Sequence, residues 1–281
     1  MVFKGRRNNA GNAMTNWNDS LSREYFAEFR DRGVIIAGGA AGIGAALADA
    51  LAWLGAKVAV VDKNKASTGI SVAADLTDEA ARKAAMAEAI AKTGNVCAFV
   101  STLGFDSRIG FDDLSQEQAE LLMRVNFFAP VFAARDVLPA MREAGGGAIC
   151  LFTSRHGSEI FEPDMTGYGC AKAALDSGIK RLAIKAGEGN TADNIIRVFG
   201  FCPGWVQSDN QKARFSAKQF EDAAREQLVP VGMTPADIVP AIIFSLSKHS
   251  RLLSGTTLRF DAGEGQVKSS AVTAGSKKAA S

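Results

Sequence analysis

Tyr168-Gly169-Cys170-Ala171-Lys172 places a tyrosine and a lysine four residues apart. On a helix, side chains at i and i+4 share one face. A phenol has a reference pKa of about 10 and is a poor base at neutral pH. An ammonium beside it favours the phenolate. The pair can therefore serve as a general acid/base for moving a hydroxyl proton. The same spacing also arises in ordinary half-buried amphipathic helices, so the surrounding elements must decide its meaning.

The first of these elements is Gly33-Val34-Ile35-Ile36-Ala37, a short apolar run that reads as a buried parallel strand. It leads into Gly38-Gly39-Ala40-Ala41-Gly42-Ile43-Gly44, and an alanine-rich helix follows to about Leu54. A strand, a glycine turn and a helix N-terminus together make a phosphate site. Glycines let the backbone approach a pyrophosphate, and the free N–H groups and dipole of the helix hold its charge. A second strand, Lys57 to Asp62, ends in an acid at the distance expected of a ribose-binding carboxylate. Such a carboxylate accepts from ribose hydroxyls and repels a 2′-phosphate, which favours NAD over NADP; Lys63 beside it weakens that preference.

A third strand over 69–74 ends at Asp75-Leu76-Thr77, where a polar side chain could meet an adenine. A helix over 78–92 precedes a fourth strand over 95–100. Ser101-Thr102-Leu103-Gly104 follows at the same edge of the sheet. Ser115 opens a long helical pattern with Asn126 in its middle and Pro130 four residues later. Proline lacks the N–H that would bond the carbonyl of Asn126, so the helix should bend there and leave an acceptor for a relay water. The fifth strand ends at Thr153, with Ser154 beyond it. Ligands of parallel α/β sheets sit beyond the carboxyl ends of the strands, so Ser154 faces the same crevice as Tyr168, with a polar loop containing His156 between them. His156 could touch substrate or stand in solvent. A sixth strand over 195–201 runs into Cys202-Pro203-Gly204-Trp205-Val206, with Ser208 close behind. Residues 207–227 are helix-prone and suit a lid. Phe161, Met165, Trp205 and Phe215 offer apolar lining.

The chain of 281 residues is 47 % hydrophobic and 22 % charged, with a formal net charge of +2, the balance of an ordinary globular protein. No charge block points to nucleic acid or a membrane surface as partner. No run is long and apolar enough to span a bilayer. The four cysteines, Cys97, Cys150, Cys170 and Cys202, form no C-x-x-C pair. They read as buried, reduced thiols of a cytoplasmic protein, and no metal centre is expected. Residues 1–20 are polar at their start, lack a secretory h-region, and read as a flexible extension. Residues 21–265 form one catalytic domain, and 266–281 a loose tail.

The ordered set of Gly38/Gly42/Gly44, Asp62, Asn126, Ser154, Tyr168 with Lys172, Pro203-Gly204 and the Asp261-Ala262-Gly263 ending resembles the single-domain branch of the short-chain dehydrogenase/reductase family. The resemblance covers roughly residues 30 to 265. It implies a doubly wound α/β fold, a mainly parallel seven-stranded sheet flanked by helices. It implies that Tyr168 is the acid/base, that Lys172 lowers its pKa and holds the nicotinamide ribose, that Ser154 binds the substrate oxygen and that Asn126 orders the relay water. The cofactor contacts it implies are Gly38, Ala41, Gly42, Ile43, Gly44, Asp62, Asp75, Leu76, Ser101, Thr102, Gly104, Tyr168, Lys172, Pro203, Gly204, Val206 and Ser208, with Ser154, His156, Tyr168 and Trp205 around the substrate. The expected function is NAD-dependent oxidation of a secondary alcohol. The histidine two residues after Ser154 resembles sugar dehydrogenases of the family. An NADPH-linked carbonyl or oxoacyl reductase and a non-catalytic NAD-binding scaffold are the alternatives. Family members form homodimers or homotetramers through the helices carrying Asn126 and Tyr168. Two departures stand out. Ala37 replaces the family's threonine before the first glycine, and Ser101-Thr102-Leu103-Gly104 replaces Asn-Asn-Ala-Gly. Both ends of a tie between two loops have changed together.

Overall fold

The computed structural model describes residues 17–264. Seven strands form one parallel sheet: β1 (Gly33–Ala37), β2 (Lys57–Asp62), β3 (Ile70–Ala73), β4 (Val96–Ser101), β5 (Gly146–Phe152), β6 (Ile195–Pro203) and β7 (Thr257–Phe260). Their order is β3-β2-β1-β4-β5-β6-β7. The chain first winds outward from β1 and then returns to its other side. The loops after β1 and β4 therefore part, and a crevice opens between them beyond the strand ends.

Among the described residues there are eight α-helices: α1 (Gly42–Trp53), α2 (Glu79–Thr93), α3 (Gln116–Met123), α4 (Ala129–Glu143), α5 (Thr166–Gly187), α6 (Asp209–Lys212), α7 (Ala217–Arg225) and α8 (Pro235–Leu246). All five residues of β1 are buried, because helices lie on both faces. Val34 and Ile36 join Leu47 and Leu51 of α1 and Ile238 and Ile242 of α8 in one core. Ile35 and Ala37 join Met86 of α2, Val137 of α4 and Leu175 of α5 in the other. Burying a side chain of this size stabilises by about 1.5–3 kcal/mol, so a break in this alternation would be expensive on either face.

The helix around Asn126 departs from α geometry. Residues Arg124–Phe128 form a π turn in which the Ala129 N–H reaches the Arg124 carbonyl. The missing N–H of Pro130 explains why the α ladder fails here. The segment before β1 holds two short 3-10 turns, Trp17–Ser20 and Ala27–Phe29. Trp17 packs edge-on against Trp53 of α1, with ring centroids 5.5 Å apart. The end of the expected flexible extension is thus docked. Residues 1–16 and the expected tail lie outside the described residues.

Candidate active site

β1 delivers Gly38 in the left-handed region at φ +82°, and Gly42 follows at φ +59°. A Cβ at Gly44 would lie 2.5 Å from the Gly38 carbonyl and 2.7 Å from Thr102 Oγ1. The loop can fold back on its helix only with glycine there. The N-cap of α1 is Ala41, which supplies no side-chain cap, and the helix has no acid in its first turn. By contrast, Asp78, Ser115 and Ser216 cap α2, α3 and α7. The first N–H groups of α1 are not taken by a side-chain cap and suit an anion. Asp62, at the end of β2, accepts the Ala40 N–H at 3.1 Å and the Asn64 N–H at 2.9 Å. Each carboxylate oxygen has a further lone pair for a ribose hydroxyl. Lys63 turns away to Asp75 at 2.9 Å. Burial pushes the Asp75 carboxyl upward, but hydrogen bonds from Thr77 and the Lys63 ammonium hold it at about 2. A glycine cradle, an uncapped helix start and an anchored acid fit a nicotinamide dinucleotide.

Two of the expected contact residues turn their side chains into the protein. Leu76, in the turn before α2, is buried in the core with Ala85 and Met86 of that helix. The Ser101 hydroxyl is buried at the end of β4 without a hydrogen-bond partner, and its side chain is absent from the cleft wall. Thr102, next along, takes the other role. Its hydroxyl donates to the Gly38 carbonyl at 2.7 Å, and its N–H to the Ala37 carbonyl at 2.9 Å. The tie whose threonine is missing at Ala37 is thus made from the opposite strand. The hydroxyl has changed sides and the two loops stay joined.

Beyond this junction lies a cleft of about 440 Å³, whose wall includes Ile43, Thr102, Gly104, Ser154, Tyr168 and Lys172. Pro203, Gly204, Trp205, Val206 and Ser208 line its far side. Tyr168 and Lys172 come from one face of α5, with the ammonium 5.8 Å from the phenol ring centroid. Lys172 Nζ donates to the Phe152 carbonyl at 2.8 Å and the Leu103 carbonyl at 3.2 Å. The electrostatics of this ligand-free site differ from the expectation that Lys172 activates Tyr168. Burial pushes the Tyr168 phenol up to about 12, while hydrogen bonding from Ser154 works against that rise. Burial also pushes the Lys172 ammonium down to about 7. A low-dielectric wall disfavours both charged forms. Asn126 lies fully buried behind the wall. Its amide donates to the Phe105 and Leu122 carbonyls, and its oxygen accepts the Phe105 N–H. The side chain pins the loop after β4.

On the substrate side, His156 stands with Nδ1 3.4 Å from Ser154 Oγ and Nε2 3.4 Å from Glu162 Oε2. Arg108 holds Glu162 at 3.1 Å and Asp164 at 2.8 Å. Arg214, just after α6, reaches Asp106 at 2.6 Å across the mouth. Trp205 Nε1 donates to Gln211, and its rings pack on Phe215 and Phe220. This aromatic cluster holds α6 and α7 over the cleft, where a lid was expected. Met165, Trp205 and Phe215 line the cleft. Phe161 does not; it is 81 % exposed. Cys170 is also exposed, whereas Cys150 and Cys202 are buried, because α5 turns Cys170 away from the Tyr–Lys face. Asp106, Arg108 and Gln211 were missed in the sequence. Loop charges carry no period, and only the folded loops bring them to one rim.

The family model described as enoyl-(acyl carrier protein) reductase matches residues 38–264. The chain is 32 % identical to the probable galactose dehydrogenase GalD of Rhizobium meliloti, over 87 % of this chain and 99 % of the relative. It is 33 % identical to the inactive 2-(S)-hydroxypropyl-CoM dehydrogenase 2 of Xanthobacter autotrophicus, over 77 % of this chain and 98 % of the relative. Among solved structures, 7α-hydroxysteroid dehydrogenase complexed with NADH and 7-oxo glycochenodeoxycholic acid superposes with a TM-score of 0.76 at 27 % identity, covering 84 % of this chain and 94 % of that one. The protein belongs to the short-chain dehydrogenase/reductase family of nicotinamide-dependent oxidoreductases.

Proposed function

We propose that the protein oxidises a hydroxyl-rich, sugar-sized alcohol with NAD, using Tyr168 as the general base. The observation that carries this reading is the single wall formed by Ser154, Tyr168 and Lys172 beneath a rim of Asp106, Arg108, His156, Glu162 and Gln211. Polar donors and acceptors of both kinds suit a ligand with several hydroxyls, while Trp205 and Phe215 suit the apolar face of a ring. The likeness to a probable galactose dehydrogenase supports the same class.

The bound nicotinamide would accept hydride from the carbinol carbon. Gly38, Gly42, Gly44 and the start of α1 would hold the pyrophosphate, and Asp62 the adenosine ribose, which favours NAD. Lys172 would bind the second ribose once it releases its carbonyls. Ser154 would hydrogen-bond the substrate oxygen, and Tyr168 would take its proton. The positive charge of the oxidised cofactor would lower the phenol from its ligand-free value near 12. The carbonyl of Asn126 would hold a water behind Lys172, and the amide would fix the loop that closes the site. The same reading carries a homodimer or homotetramer in the cytoplasm. Assembly would run through α5 and through α4 with the π turn before it, where Phe128 is exposed and stacks on Phe132 of α4.

The test is NADH formation from NAD⁺ across a panel of aldohexoses, polyols and cyclic alcohols. Turnover by the wild type, reduced at least about 10²-fold in Tyr168→Phe, is the expected outcome. Turnover confined to NADPH and ketones, or surviving in Tyr168→Phe, would overturn the reading.

A further inference from the structure

We propose that Arg155 is a positioning residue for Ser154. Its guanidinium is clamped by Asp261 and Glu264, and the clamp seats the turn after Ser154 on α5, in the wall that Ser154 shares with Tyr168. The inference rests on the dehydrogenase reading for what Ser154 does once it is in place.

Arg155 is the hub of a tight turn, Arg155–Gly157 and the residues after it. Its carbonyl accepts the N–H groups of Ser158 at 3.0 Å, Glu159 at 2.8 Å and Ile160 at 3.1 Å. One residue back, the Ser154 carbonyl accepts the Gly157 N–H at 3.0 Å, and Ser154 Oγ accepts the His156 N–H at 3.3 Å. On one side this turn lies directly on the helix of Tyr168 and Lys172. A Cβ at Gly157 would come within 2.7 Å of the Ala173 nitrogen, and one at Gly169 within 2.7 Å of the His156 carbonyl oxygen. Backbone touches backbone at both glycines. Any lift of the turn off α5 would therefore carry Ser154 and His156 with it.

On its other side the turn meets the end of the chain's last strand. Arg155 Nη2 lies 2.6 Å from Glu264 Oε2, and Nε lies 4.0 Å from Asp261 Oδ2. All three side chains are at most 8 % exposed. Glu159, in the same turn, pairs with Arg259 of β7. The carboxylates are themselves fixed. Asp261 Oδ1 accepts the Gly263 N–H at 3.0 Å, and the Asp261 carbonyl accepts the Glu264 N–H at 3.1 Å. The same C-terminal turn is tied to two other parts of the cleft. The Gly204 N–H donates to the Phe260 carbonyl at 2.9 Å, and the Val229 N–H, beyond α7, donates to the Ala262 carbonyl at 3.0 Å. One turn thus joins the serine loop, the Pro203-Gly204 wall and the segment that leaves the lid. A buried ion pair stabilises no better than apolar side chains of its size. What a guanidinium fork adds is a fixed orientation, which here is the orientation of the serine loop.

The test separates stability from position. Arg155→Met leaves the Glu264 charge without its guanidinium and should lower the melting temperature. It should also lose about 10- to 100-fold in kcat, as a misplaced group does, with KM and NADH binding little changed. Arg155→Met combined with Glu264→Leu removes both charges and should regain most of the melting temperature. Its kcat should stay low, because the orienting pair is gone. A kcat that recovers together with the melting temperature would overturn the proposal, as would a loss confined to KM, which would make Arg155 a substrate contact. NMR decides the point even if no alcohol is turned over, since the chain has two histidines and two tyrosines. The His156 and Tyr168 rings pack edge-on with centroids 5.9 Å apart, and the His249 and Tyr25 rings stack at 3.9 Å as an internal control. In the double variant the His156–Tyr168 ring Overhauser effect should weaken while the His249–Tyr25 effect persists. An unchanged His156–Tyr168 effect would sink the clamp. A weakened one in a protein that turns over no alcohol would count against the dehydrogenase reading alone.

Discussion

Lys172 and Tyr168 show how burial prepares a site before any ligand arrives. The free lysine holds its proton up to about 10.5, but the folded one only up to about 7. Between those values the unfolded chain binds more protons, so stability rises with pH across the window and is lost as pH falls towards 7. Lys172→Met removes the titration. Its denaturant midpoint should vary less between pH 7 and pH 10 than that of the wild type, and it should lose turnover. Equal slopes in the two proteins would show that the ammonium is not held in its depressed state. Much of this residue-scale site was legible in the sequence, because Tyr168 with Lys172, and Ser154 at a strand end, follow fixed spacings. The direction of the Tyr168 shift was not legible. Spacing reports that an ammonium is near, but not that two backbone carbonyls hold it and that burial raises the phenol.

At the junction of the β1 and β4 loops one side-chain hydroxyl reinforces the backbone bond from Thr102 to Ala37. Thr102 Oγ1 satisfies the Gly38 carbonyl, and Gly44 leaves it room. Thr102→Val keeps the shape and orphans that carbonyl, at a cost of about 1–3 kcal/mol. A lower melting temperature and weaker dinucleotide binding are expected, with Thr102→Ser close to the wild type. Unchanged cofactor binding in Thr102→Val would show that the loops hold together without the bond. The sequence showed that both ends of the usual tie were altered; it could not show that the hydroxyl had moved across. That depends on the parallel register pairing Ala37 with Ser101, which brings the next residue of β4 over the loop. The π turn was half legible. Pro130 marks where the ladder must fail, but not that a π turn rather than a simple bend forms there.

The whole molecule is a parallel sheet that reverses its winding at β1, and the cleft lies where it reverses. This architecture was readable because apolar runs buried on both faces alternate with helical patterns. The helix-prone stretch over the cleft was readable too, but the charged rim was not, since it comes from loops whose partners are distant in sequence, as Arg214 and Asp106 are. On the outer surface, Phe128→Asp should convert an oligomer to monomers in sedimentation without lowering the melting temperature of the subunit core. An unchanged sedimentation coefficient would place assembly elsewhere. The central claim, an NAD-selective site built around Asp62 and serving Tyr168, is tested most directly by titrating the purified protein with NADH and with NADPH and following nicotinamide fluorescence. Tight NADH binding, weak NADPH binding, and loss of that preference in Asp62→Ala are expected. Preference for NADPH in the wild type, or no binding of either cofactor, would contradict it.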